Sequence, residues 1–233
     1  MTRVVLLAGG RGERMRGLGD TPKPLVRIGA RSLIEHVMAS FAAAGFDDFL
    51  IALGHRGDEI RDYLTALNLP YNLQFRDTGD ATQSGGRLAR LRADLSSEPF
   101  LMAWCDGVFA LDVASLLCAH EKAGKTCMMV AVEPVLPYGL LTLKGDQVVG
   151  LQEKPMLKDK WVSAGIFALS PRVFDDIRGD AASWETDVLP GLATADQLAV
   201  YRHSGFWKSV DTPKDVAALA GFDLPDRPSG GDA

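Results

Sequence analysis

Apolar and polar positions alternate along the chain in blocks of two kinds. Short apolar, β-branched runs are separated by stretches whose apolar residues recur at helical spacing. Residues 4–7 read as a strand running straight into a glycine turn. Residues 32–44 read as a helix, with apolar side chains at 33, 34, 37, 38 and 41, Ser32 and Glu35 in capping-box spacing, and Gly45 as its stop. The same reasoning predicts strands over 49–53, 72–76 and 100–104 and helices over 58–67 and 86–95. This alternation belongs to an α/β fold, a single-domain, doubly wound mixed sheet. Such sheets bind ligands beyond the carboxyl ends of their strands, which points to the loops at 8–16, 77–87 and 105–108.

The pattern changes after residue 110. Runs at 126–133, 140–143, 148–152 and 161–169 read as strands with little helix between them, an antiparallel or mixed addition to the same sheet. A helix over 185–194 and a strand over 198–203 follow. Thr212 as cap and Pro213 at the first helical position open a last helix ending near Gly221. Residues 224–233 have the composition of a flexible tail, so one domain over 1–223 is expected, with halves at 1–110 and 111–223.

Composition narrows the function. No apolar run reaches the roughly 20 residues that cross a bilayer, and no membrane partner is expected; the chain reads as cytoplasmic. Cys105, Cys118 and Cys127 form no CxxC pair and share no metal-ligand spacing with the four histidines, which excludes a disulfide framework or a zinc site as a reading. The net charge is −5, yet residues 1–31 carry six arginines and one lysine against Glu13 and Asp20. A basic, glycine-rich end on an acidic chain suits a compact anion and not a long nucleic acid, which calls for a broad basic face.

The anion has an obvious candidate cradle. Leu7-Ala8-Gly9-Gly10-Arg11-Gly12-Glu13-Arg14-Met15 runs from a strand end into a turn, with Lys23-Pro24 behind it. Consecutive glycines let backbone N–H groups face phosphate, and arginine and lysine add charge-assisted contacts. The GxGxxG pattern fails at Met15, and GxxxxGK[ST] has no match. As isolated residues, Asp106 and Asp211 read as a turn residue and a helix cap, Glu153-Lys154-Pro155 as a charged strand exit, and Arg87 as a solvated arginine.

LAGGRGERM followed by KP resembles the signature of the sugar nucleotidyltransferases, in which LAGGxGTRL is followed by PKP. Asp77-Thr78-Gly79, Ser84-Gly85-Gly86-Arg87-Leu88, Cys105-Asp106-Gly107-Val108, Tyr138-Gly139, Gln152-Glu153-Lys154-Pro155, Ala164-Gly165-Ile166-Phe167, Trp184-Glu185 and residues 205–212 recur in the family's order. The DTG, GGR, WE and GFW elements look most like the glucose-1-phosphate cytidylyltransferases. This chain departs from them in lacking a longer segment before DTG, in Ala164-Gly165-Ile166-Phe167 and in Cys105.

The resemblance implies a Rossmann-like, glycosyltransferase-A-like fold. It also implies an enzyme that joins a nucleoside triphosphate, CTP by the closest match, to a sugar 1-phosphate with release of pyrophosphate. Asp106 and Asp211 would hold Mg²⁺; Arg14 and Lys23 would act on the phosphates. Leu7, Ala8, Gly9, Gly10, Arg11, Gly12, Glu13, Thr82, Gly86, Arg87 and Cys105 would line the nucleotide site, with Thr82, Gly86 and Arg87 in the stretch that reads the base. Gly139, Glu153, Lys154, Gly165 and Trp184 would line the sugar-phosphate site, with Lys154 on the phosphate and Glu153 on sugar hydroxyls. Uridylyl or guanylyl transfer to an amino-sugar or heptose phosphate, a non-sugar acceptor, and a nucleotide-binding regulatory module with a lapsed site are the competing readings. A homo-oligomer is left open.

Overall fold

The computed structural model describes residues 2–10, 12, 21–95, 97–219 and 221. From the N-terminus, β1 (Val4–Leu7) leads through the small hairpin of β2 (Arg27–Ile28) and β3 (Arg31–Ser32) into α1 (Leu33–Ala43), β4 (Asp48–Leu53), α2 (Gly57–Ala66) and β5 (Asn72–Asp77). Two short helices, α3 (Ser84–Ala89) and α4 (Arg92–Leu95), precede β6 (Phe100–Trp104), β7 (Gly107–Phe109) and α5 (Val113–Ala123). Then come β8 (Cys127–Val132), β9 (Leu140–Lys144), β10 (Gln147–Gln152), β11 (Val162–Leu169), α6 (Leu189–Thr194), β12 (Leu198–Arg202), β13 (Trp207–Ser209) and α7 (Pro213–Ala218).

Seven strands form one sheet in the order β12-β8-β11-β6-β1-β4-β5. β6, β1, β4 and β5 run parallel, β11 is antiparallel to both β6 and β8, and β12 lies parallel to β8. The expected mixed sheet is therefore present, with strands from both sides of residue 110 in it. The chain leaves β1 toward β4 and β5 and returns on the other side as β6, so a crevice opens at the carboxyl end of β1.

Period-two alternation builds the layers. Val4 and Leu6 pack on one face with Ile34, Val37, Met38 and Phe41 of α1, while Val5 and Leu7 pack on the other with Leu88, Phe167 and Trp184. α1 starts as its sequence dictates: the Glu35 carboxylate accepts hydrogen bonds from the Ser32 amide at 2.8 Å and hydroxyl at 2.7 Å, closing the capping box. A third bond, 2.6 Å from the Tyr63 hydroxyl, ties α1 to α2.

Three expectations are corrected. A full helix, α5, occupies residues left unassigned between the two halves; Asp112 accepts from the Ser115 amide at 2.9 Å at its start, and left-handed Gly124 ends it. The helix expected over 86–95 is two, broken by tighter turns at residues 90–91, where the Leu91 amide donates to Leu88. β9 and β10 do not join the sheet but form a separate two-stranded ribbon. The expected tail at 224–233 lies outside the described residues. Among the described residues no helix is long and apolar enough to cross a membrane.

Candidate active site

A cavity of about 550 Å³ opens where β1 and β6 end, against the segment that follows β5. Its walls include Leu7, Ala8, Gly9, Gly10 and Gly12 from the glycine turn, Thr82 and Arg87 from the segment after β5, and Cys105 and Asp106 after β6. All of these but Asp106 were expected at a nucleotide; Asp106 was expected at a metal ion. Arg11, Glu13 and Arg14 lie outside the described residues. Gly12 is at φ +59°, and a Cβ there would stand 2.9 Å from Cβ of Lys23, so both its conformation and the close approach of Lys23 require glycine.

The charged centre of the site is assembled from three distant parts of the chain. The Lys23 ammonium donates to Asp211 Oδ1 at 2.8 Å and to Asp106 Oδ2 at 3.3 Å. Lys23 is placed by a tight turn between Pro22 and Pro24. Asp106 and Asp211 are brought together by the antiparallel pairing of β7 with β13, in which Gly107 faces Ser209, and by the Val210 amide donating to the Asp106 carbonyl at 2.8 Å. The Ser209 hydroxyl donates to Asp211, and α7 begins at once with the predicted Thr212 cap and Pro213. Burial raises the Asp106 carboxyl above the usual carboxylate range; the Lys23 charge pulls it down, and the Asp211 carboxylate adds to the rise.

Two carboxylates sharing one ammonium show a donor set suited to a shared cation. Hard oxygen ligands from Asp106 and Asp211, with room left for phosphate oxygens and water, are what Mg²⁺ prefers. Among the described residues there is no group of three or more His, Cys, Asp or Glu side chains fit to hold a metal by themselves. The pair therefore fits an ion completed by its substrate, not a closed structural site. The Cys105 thiol is buried and burial pushes its ionisation far up, so it serves as cavity wall.

Several expected contacts are placed elsewhere. Trp184 is fully buried in the core, edge-on to Phe167 with ring centroids 5.3 Å apart, and does not face a sugar. Its neighbour Glu185 lines the cavity instead, receiving a 2.9 Å hydrogen bond from the Ser84 hydroxyl. The WE pair signalled the spot, but the turn that starts at Ser183 sends the tryptophan inward. Gly86 packs α3 against the backbone of Asp180 and is no part of the cavity wall. Arg87 reaches the wall, but its guanidinium donates to main-chain carbonyls and the Thr78 hydroxyl and is not turned to a base. Gly165, at φ +75°, backs onto Trp104, itself a cavity wall. Gly139, Glu153 and Lys154 sit together at the root of the β9–β10 ribbon and do not line the cavity; the two charged groups are 3.7 Å apart and exposed. Sequence reasoning missed Asp80, Gln83, Ser84, Trp104 and Glu185 as lining residues, although Ser84 and Glu185 stood inside quoted motifs.

A family model described as nucleotidyl transferase matches residues 3–224. The glucose-1-phosphate cytidylyltransferase of Salmonella typhimurium is 33% identical, covering 94% of this chain and 95% of its own. A mannose-1-phosphate guanylyltransferase catalytic subunit beta of Dictyostelium discoideum is 28% identical over 95% of this chain and 64% of its own. HddC of Yersinia pseudotuberculosis shares the fold with a TM-score of 0.77, at 23% identity over 95% of this chain and 99% of its own. With the cavity at the switch point, Lys23 and Asp106 in its wall and Asp211 bonded to Lys23, these matches establish that the chain belongs to the nucleotidyl transferase family.

Proposed function

We propose that this nucleotidyltransferase transfers a cytidylyl group from CTP to a sugar 1-phosphate. The observation that carries the reading is the convergence of Lys23, Asp106 and Asp211 beside a glycine turn at the end of β1. The choice of CTP rests on the Salmonella typhimurium relative, which matches over almost the full length of both chains.

In the reaction, an oxygen of the sugar phosphate attacks the α-phosphorus of the triphosphate. A new P–O bond forms, the bond from the α-phosphorus to the bridging oxygen breaks, and pyrophosphate leaves with that electron pair. No covalent intermediate with the protein is needed, so catalysis is positioning and charge stabilisation. The glycine turn supplies the close wall for the nucleotide. Lys23 offers an ammonium to the phosphates once it gives up one of its two carboxylates, and Arg14 is assigned to the departing pyrophosphate. Asp106 and Asp211 would hold Mg²⁺, which supplies Lewis-acid charge neutralisation on phosphate oxygens when bound. Lys154 and Glu153 are assigned to the phosphate and hydroxyls of the incoming sugar.

Pyrophosphate release measured for CTP, UTP, GTP and dTTP against a panel of sugar 1-phosphates tests the proposal. The expected outcome is turnover with CTP well above the rest. GTP in first place would replace the cytidylyl reading with a guanylyl one, in line with the Dictyostelium relative. No release with any pair would favour a lapsed, nucleotide-binding module.

A further inference from the structure

We propose that Arg87 is a positioning residue that locks the glycine turn after β1 to the loop after β5, fixing the nucleotide wall of the cavity before any ligand enters. The inference rests on the nucleotidyltransferase reading above and deepens it. Arg87 is 5% exposed, a degree of burial that is unusual for a charged side chain unless its donors are met. Nη1 and Nη2 are met at three strand ends by four main-chain carbonyls and the Thr78 hydroxyl. Nη2 donates to the Gly9 carbonyl at 2.8 Å, beyond β1, and to the Asp80 carbonyl at 3.3 Å, beyond β5. Nη1 donates to Gly79 O at 2.7 Å, to Thr78 Oγ1 at 2.9 Å and to Leu53 O, at the end of β4, at 3.3 Å.

The backbone is shaped to admit this guanidinium. Arg87 passes through a slot between Gly9 and Gly54, two glycines on different strand ends. A Cβ built on Gly54 would lie 2.7 Å from Cζ of Arg87, and one built on Gly9 would lie 2.5 Å from it. Both are closer than real Cβ contacts come, so the slot exists only because both positions are glycine. The Gly9 carbonyl is held from a second side by the His55 amide at 3.2 Å, and the Thr78 hydroxyl itself donates a hydrogen bond to Leu53 O at 2.5 Å. Only a planar fork with several fixed donors satisfies acceptors spread in this way; an ammonium is a single point. With Nη1 and Nη2 engaged on these acceptors, Arg87 acts on a nucleotide through Gly9 and the 78–80 carbonyls, not by touching the base.

The test compares Arg87→Lys, Gly54→Ala and the double variant with the wild type. Amide hydrogen exchange on the free protein reads the lock itself. Affinities for CTP, UTP, GTP and dTTP, together with KM for the sugar phosphate, read its consequence. Each single variant is expected to speed exchange at residues 8–10 and 78–82 and to leave β8 and β11 unchanged. Each should weaken every triphosphate the wild type binds by a common factor of roughly tenfold or more, with KM for the sugar phosphate unmoved. The double variant should be within about twofold of the weaker single, because both changes break one contact. A loss confined to one base would make Arg87 a base reader and overturn the proposal. Unchanged affinities with only a lowered melting temperature would overturn it in favour of a plain brace. If Arg87→Lys does not fold, Gly54→Ala, which keeps the arginine and adds one methyl, decides alone. A wild type without triphosphate affinity would refute the nucleotidyltransferase reading, while the exchange data would still decide whether Arg87 ties the two loops.

Discussion

The cavity at the end of β1 and the β9–β10 ribbon carry two halves of one expected substrate site, yet they are built in opposite ways. The cavity stands at the end of a buried strand: Val4, Val5 and Leu6 of β1 are each 0% exposed. The ribbon projects Leu141, Leu143, Val148 and Leu151 at 50% to 66% exposure, and an isolated pair of strands has little stability of its own. The nucleotide wall is thus held by the core, through Arg87 and the strand ends, whereas Glu153 and Lys154 hang on an element with few buried contacts. Groups assigned to the phosphates, which must stay fixed during transfer, sit on the first; groups assigned to the sugar sit on the second.

The sharpest way to break this comparison is to attack the core side. Trp184→Ala should cost about 3–5 kcal/mol in urea unfolding, as expected for a buried indole. A variant of unchanged stability with weakened sugar-phosphate binding would return Trp184 to the substrate site. Next in size, Asp106→Asn should lower kcat by roughly 10²–10³ with the circular dichroism spectrum intact, since it removes half of the carboxylate pair that Lys23 now bridges. Near-wild-type turnover would remove that pair from the mechanism.

Legibility in the sequence followed the same divide. β1, β4 and α1 were readable because each keeps a single period and clear ends: a buried four-residue run into glycines, or Ser32 and Glu35 before an apolar stripe. α5 carried comparable signals in Asp112, Ser115 and Gly124, but its residues were left unassigned beside the strand runs that begin at 126. The meeting of Asp106 with Asp211 depends on β7 and β13, three residues each, too short to leave a periodic trace. That both were site acids came from the family resemblance; that one ammonium joins them came from the fold. Trp184 and Glu185 exchanged roles for a local reason, a wide helical turn at Trp184–Val188 whose residue spacing an ordinary helical period does not describe. Arg87 was readable as part of a motif but not as a lock, because four of its five acceptors are main-chain carbonyls, and backbone leaves no mark in a residue pattern.

On the ribbon side, Lys154→Ala should raise KM for the sugar phosphate about tenfold, the loss of one charge-assisted contact, and leave KM for the triphosphate alone. A shift in the triphosphate instead would mean that the ribbon closes over the nucleotide. Of smaller size, Ser32→Ala should cost about 1 kcal/mol through loss of the α1 cap. The same box fixes a pH dependence. Burial pushes the Glu35 carboxyl up, but hydrogen bonds from Ser32 and Tyr63, with Arg27 nearby, outweigh it and hold it below its ordinary value. Its contribution is therefore present above the unfolded carboxyl's pKa and fades as pH falls through the lowered folded value; Glu35→Gln should flatten that acid limb of the stability curve.

The smallest effect is the most direct measure of the contrast. Leu143, 59% exposed on β9, has already left most of its side chain in water, so Leu143→Ala should change unfolding stability by no more than about 0.5 kcal/mol. Most buried leucine truncations cost several times that, because they lose transfer energy and leave a cavity. If Leu143→Ala proves as costly as such a core truncation, the ribbon is covered in solution by something that binds its apolar side chains. The sugar-side groups at its root, Glu153 and Lys154, would then be held as firmly as the nucleotide wall.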